Sequence, residues 1–302
     1  MNTTQKMAHG SKDKPCVGLA LSGGGPRGLS HIGVLRVLER EGIPVDVLAG
    51  TSIGGIIAAG YAAGLRPDDL EKEALATARL RPLLRLIDPG LPEAGILRGQ
   101  RIQAYFEELI GAVTFADLKV PLALVAVDLN AQQEVILTEG SVSRAMRATI
   151  SVPGLFTPVE IAGQRLVDGG LLDNLPIDAA QELGADMVIA VDVESDPGRD
   201  QDQRLKEYGM LPNGLASTLA IVDEASQLMM KAIKESKLQT NPPHVLIRPI
   251  PPKGVNLFAG YSRIRELIQI GEEAAEEKLP LIRQLLRNFT ASYIEPKGEP
   301  SL

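Results

Sequence analysis

Two short strand-like runs, each ending in a glycine-rich turn and each followed by a helical pattern, constrain this chain more than any other feature. Residues 17–21 are unbroken in their low polarity and run into Gly23-Gly24-Gly25. Residues 29–41 then space Ile32, Val34, Leu35 and Leu38 as one face of a helix does. A second strand is read at 45–49, leading into Gly50, and 54–64, rich in Ala, Gly and Ile, reads as a buried helix. Short strands with little polar alternation belong to a sheet covered on both faces, and the helices between them return the chain so that the strands lie parallel. The fold class is therefore α/β, with a mainly parallel central sheet. Later strands are predicted at 121–128, 134–138, 164–167, 187–193 and 245–249. Helices are predicted at 101–111, 177–183, 215–236 and 263–287, and no internal repeat is found.

The chain has 302 residues, enough to bury a substantial core without covalent staples. Cys16 is the one cysteine, so no internal disulfide can form. The formal net charge is −7, and no Lys/Arg run is interleaved with aromatics, which excludes a nucleic-acid partner on pattern. No window reaches the roughly 18 apolar residues of a membrane span, and the polar N-terminus lacks the apolar stretch of a secretory leader. The expectation is a cytoplasmic protein, peripheral at the membrane when it makes transient contact there. Residues 1–14 read as a disordered tail, 15–183 as the core of the domain, and 184–302 as further strands and helices packed on the same domain. A flexible segment is expected near 195–213 and a disordered tail from 295.

Three stretches carry chemistry. Gly50-Thr51-Ser52-Ile53-Gly54 matches G-x-S-x-G between a predicted strand and a predicted helix, the context of a nucleophile elbow. Small flanking residues admit the sharp turn, and the helix N-terminus favours developing negative charge. The plainer alternative is a glycine-rich turn in which Ser52 only caps the helix. Gly23-Gly24-Gly25-Pro26-Arg27-Gly28 lets backbone N–H groups converge on an anion, as the oxyanion of an acyl transfer requires, and Arg27 adds positive charge. The same stretch is a literal G-x-G-x-x-G. Asp46 lies 18 residues beyond Gly28, near the spacing of a dinucleotide fingerprint. Val167-Asp168-Gly169-Gly170 places a carboxylate at a strand end, where it could take a serine proton, although Asp-Gly is also a common turn.

In order and in strand context, the three stretches together resemble the patatin-like phospholipase family. His31-Ile32-Gly33-Val34-Leu35 and Ser151-Val152-Pro153-Gly154-Leu155-Phe156-Thr157-Pro158-Val159 add to the likeness, which is clear from 17 to 183. The resemblance implies a three-layer α/β/α fold and a Ser-Asp dyad instead of a triad. Ser52 would be the nucleophile and Asp168 the proton acceptor. The backbone at Gly24 and Gly25, with Arg27, would form the oxyanion hole. It implies hydrolysis of fatty acyl esters of lipids through an acyl-Ser52 intermediate, without cofactor or metal. An acyltransferase using the same acyl-enzyme is the nearest alternative, and a nucleotide-binding regulator using the glycine loop is the alternative of another class.

The remaining candidates weigh less. His9 falls in the tail, and His31 reads as a packing or loop-holding residue. The order Ser52, Asp168, His244 is that of α/β-hydrolase triads. However, His244 opens its predicted strand, while Ser52 and Asp168 close theirs, so the histidine is expected at the opposite sheet edge. Residues 79–87, with Arg79, Arg81 and Arg85 among Leu83, Leu84 and Ile87, read as a core-packed helix, with a lid or lipid contact as the alternative.

Overall fold

The computed structural model describes residues 14–78, 88, 97–193, 213–252, 255 and 260–294, with the backbone alone at 213–220, 222–224, 260–261 and 291–294. The expected tails, the segment 195–213 and the stretch 79–87 lie outside the described residues, save Lys14 and Asn213 at their ends.

Eight strands form one sheet: β1 (Val17–Leu21), β2 (Val47–Thr51), β3 (Leu122–Asp128), β4 (Gln133–Leu137), β5 (Val159–Ile161), β6 (Gln164–Asp168), β7 (Met187–Val191) and β8 (Val245–Ile247). The described helices are α1 (Ser30–Arg40), α2 (Ile53–Ala63), α3 (Pro67–Thr77), α4 (Gln100–Ile110), α5 (Val142–Thr149), α6 (Ile177–Glu182), α7 (Asn213–Thr240) and α8 (Ile264–Ile294). The central strands β3-β2-β1-β7-β8 are mutually parallel. Every residue of β1, β2, β3 and β7 is buried, as a sheet covered on both faces demands.

Alternation along the strands sorts their side chains into two cores. Leu19, Leu21, Leu48, Leu124 and Ile189 face a large core shared with Leu35, Leu38, Ile57 and Ile268. Ala20, Ala49, Ala123, Val125, Val188 and Ala190 face a smaller one with Ile177, Ala179, Ala180 and Leu238. Helices α1, α2 and α8 thus cover one face, and α6 and α7 the other, giving the three layers. Alanines on the second face let α6 lie close to the strands.

One departure from parallel order positions the site. Strand β3 pairs with β2 through Leu122–Val125 and with β4 through 124–128, so these two occupy opposite edges of β3. Strand β6 pairs antiparallel with β3 at 126–128, where β4 already holds one edge. It must therefore take the edge that β2 vacates. Strands β2 and β6 share one lane and meet head to head, Thr51 opposite Val125 and Asp168 opposite Ala126. The carboxylate does not reach the site by closing a parallel strand, as the sequence reading supposed. It reaches it from the other direction, at the end of a strand that runs toward the elbow.

Candidate active site

Ser52 follows β2 directly and precedes α2. Its backbone holds φ 54° and ψ −126°, a conformation that is strained for a residue with a Cβ. It is the N-cap of α2, yet its side chain makes no capping hydrogen bond, so the plainer reading of a capping serine fails. The tight turn depends on Gly54, where a Cβ would lie 2.3 Å from the Leu21 carbonyl oxygen. Helix α2 therefore starts directly against the end of β1, beside the glycine loop.

Asp168 is buried at the end of β6, and its Oδ1 accepts the Gly170 N–H at 2.8 Å. Burial pushes its carboxyl up to about 6, against the opposing pull of hydrogen bonds from Gly170 and from the Ser52 side chain. Gly169 admits the turn that follows, since a Cβ there would meet the Val125 carbonyl oxygen at 2.4 Å. The structure thus brings Ser52 and Asp168 together, with Gly170 on the carboxylate.

The glycine loop lies alongside. The Gly23 N–H donates to the Asn174 carbonyl at 3.1 Å, and a Cβ on Gly23 would come within 3.1 Å of the Ser52 Cβ. Gly25 holds φ 56°, in the left-handed region where glycine is favoured, and opens a single 3-10 turn (Gly25–Leu29). Gly28 packs under Ile53, the residue after the serine. The buried Arg27 donates from Nη2 to the Val255 carbonyl at 2.9 Å, tying the loop to the segment before α8. Its guanidinium is thus engaged with protein backbone.

The remaining sequence candidates fall elsewhere. His31 is fully buried, and its Nε2 donates to the Ser22 carbonyl at 2.8 Å. Burial lowers it to about 4, so it is neutral at pH 7 and holds the start of the loop. His244 sits at the opposite sheet edge. It exchanges hydrogen bonds with Val188 through its own N–H and Nδ1, and its ring stands edge-on to Phe289. Asp46 precedes β2, and its carboxylate accepts the Val17 N–H at 2.8 Å, bracing the N-terminal sheet edge. A ribose-binding acid belongs at the C-terminal end of that strand, so the dinucleotide geometry is not met.

Other residues around Ser52 carry no role in the sequence motifs by themselves. Thr149 Oγ1 accepts the Ser52 N–H at 2.9 Å, and the Ser151 carbonyl accepts the Asp168 N–H at 3.0 Å. Arg147 is buried and donates to Ser151 Oγ and to the carbonyls of Arg98, Gly99 and Thr157. The sequence marks Ser151 only as the first residue of the 151–159 stretch, and Thr149 and Arg147 only by their closeness to it. Among the described residues, no group of three or more His, Cys, Asp or Glu is placed to hold a metal ion.

Fold and elbow define the class: an α/β protein that presents a serine on a strand-to-helix turn as α/β hydrolases present theirs. Residues 19–181 match the family described as patatin-like phospholipase, over half of the chain, and the protein belongs to that family. It is 39% identical over 212 residues to an uncharacterized NTE family protein of Mycobacterium tuberculosis, covering 69% of this chain and 58% of that protein. It is 36% identical over 200 residues to human patatin-like phospholipase domain-containing protein 6, covering 64% of this chain and 14% of that protein. Lysophospholipase NTE1 of Pyricularia oryzae is 34% identical over 202 residues, covering 66% of this chain and 13% of that protein. The chain thus spans just over half of the mycobacterial relative and a small part of the other two. Among solved structures, VipD from Legionella pneumophila has the same fold, with a TM-score of 0.57 at 14% identity, covering 90% of this chain and 67% of that chain.

Proposed function

We propose that the protein hydrolyses fatty acyl esters of lipids, with Ser52 as nucleophile and Asp168 as its base. The observation that carries this reading is the meeting, in one lane of the sheet, of a strained serine and a buried carboxylate raised to about 6. A free aspartate is a weak base, and desolvation brings this one closer to the range in which proton transfer is effective.

Ser52 Oγ attacks the acyl carbonyl carbon as its proton passes to Asp168. The N–H groups of Gly24 and Gly25 receive the oxyanion, and Arg27 supports them through the loop it braces. Collapse breaks the ester C–O bond, and the leaving alcohol takes the proton from Asp168. Water then attacks the carbonyl carbon of acyl-Ser52 and gives a proton to Asp168; the bond from that carbon to Ser52 Oγ breaks, Asp168 returns the proton to Oγ, and the fatty acid leaves. Membership of the patatin-like phospholipase family, with relatives named esterase and lysophospholipase, supports lipid esters as the substrate class. Transient contact with a membrane surface belongs to the same reading. Among the described residues no helix is long and apolar enough to cross a membrane.

A panel of phospholipids, lysophospholipids and neutral lipids, read by mass spectrometry, tests the proposal. Wild type is expected to release fatty acid from at least one class and Ser52→Ala from none. Equal release by both would refute it, and transfer of the acyl group to an added alcohol in preference to water would make the protein an acyltransferase.

A further inference from the structure

Where β2 and β6 both end, the lane beside β3 is interrupted, and backbone groups at the junction lose their strand partners. The Val125 carbonyl falls opposite this gap. Thr149, at the end of α5 and with no exposed surface, fills it. Its hydroxyl has one proton, which it donates to Val125 O at 2.6 Å, and a lone pair of the same oxygen accepts the Ser52 N–H at 2.9 Å. Two residues on, the Ser151 carbonyl accepts the Asp168 N–H. The Ser151 hydroxyl is held in turn by Arg147, which donates to it at 2.6 Å.

We propose that Thr149 is a positioning residue for the nucleophile: its hydroxyl bridge from Val125 to Ser52 holds the strained elbow in register with Asp168. The inference rests on the assignment of Ser52 and Asp168 above. The segment from Thr149 to Ser151 takes the backbone N–H of the serine and of the carboxylate two residues apart, and so gauges the distance between them. Without the hydroxyl, the Ser52 N–H has no acceptor at the gap, and the backbone is free to relax away from φ 54°. The threonine methyl has a separate task. It packs against Gly55 of α2, where a Cβ would come within 3.0 Å of it.

Thr149→Val keeps the methyl and the shape and removes only the bridge. Its kcat for a short soluble ester should fall about tenfold or more with KM little changed, because the defect lies in the reacting geometry and not in binding. Labelling of Ser52 by a fluorophosphonate should slow in parallel. Thr149→Ser restores the hydroxyl and should recover kcat to within about threefold, even if loss of the methyl lowers the melting temperature. Should Thr149→Val fail to fold, Thr149→Cys replaces it, with the same fall expected because a thiol is a poor bridge. A folded Thr149→Val or Thr149→Cys protein with wild-type kcat and labelling overturns the proposal. So does a Thr149→Ser protein as slow as Thr149→Val. An active Ser52→Ala protein instead overturns the assignment of the nucleophile, and this inference with it.

Discussion

At the residue scale, the site is two ordinary side chains made unusual by what surrounds them. Ser52 sits in a backbone conformation that costs on the order of 1–3 kcal/mol, held by Gly54 beneath it and by its N–H bond to Thr149. Asp168 is raised chiefly by burial, and the bonds from Gly170 and Ser52 limit the rise. A base works only when ionised, so kcat/KM for a soluble ester should be low at acid pH, rise through about pH 6 and then level off. Because Asp168 is raised and not depressed, the rise comes later than for a free aspartate. A profile already flat from pH 4.5 to 8 would show that no group titrating near 6 acts as the base.

At the scale of elements, α7 is fixed over the site by buried ion pairs. Lys234 donates to both carboxylate oxygens of Asp192 at 2.7 and 2.8 Å, and both residues are almost fully buried. One turn on, Lys237 meets Asp173 and Glu134 at 3.0 Å. On the same side, Met230 lies against Gly170 in the turn after Asp168. Lys234→Met leaves the buried Asp192 carboxylate with Arg248 as its remaining cation among the described residues, at 3.2 Å. Urea unfolding should show a loss of about 3–5 kcal/mol. The double variant with Asp192→Asn should recover much of it, since the cost lies in the buried carboxylate that Lys234 no longer meets. If the single variant is as stable as wild type, the pair does not hold α7.

For the whole molecule, the strands and turns that carry the chemistry were legible because they are extreme. Strand β1 is five consecutive buried residues, and the glycines around Ser52 are demanded by contacts that no side chain could survive. What escaped was ordinary. Strand β5 is three half-exposed residues, α3 buries only Pro67 and Leu70, and α5 hides Ser143, Arg147 and Thr149 where a helix pattern expects apolar side chains. The direction of β6 was not legible either. It follows from which edge of β3 is free, and that is a property of the assembled sheet. In the proposed reaction Asp168 takes the proton and backbone N–H groups meet the oxyanion. Chelation with EDTA should therefore leave soluble-ester hydrolysis unchanged, and loss of activity restored by one particular metal would contradict this.

The central claim is that Ser52 is activated by Asp168 and by no histidine. A fluorophosphonate probe reads it directly, because it reacts with an activated serine and with little else. Wild type should be labelled at Ser52, and His244→Ala should be labelled at nearly the same rate, since that histidine lies across the sheet. Ser52→Ala and Asp168→Asn should fold and fail to label. Rapid labelling of a folded Asp168→Asn protein, or its loss in a folded His244→Ala protein, would contradict the account.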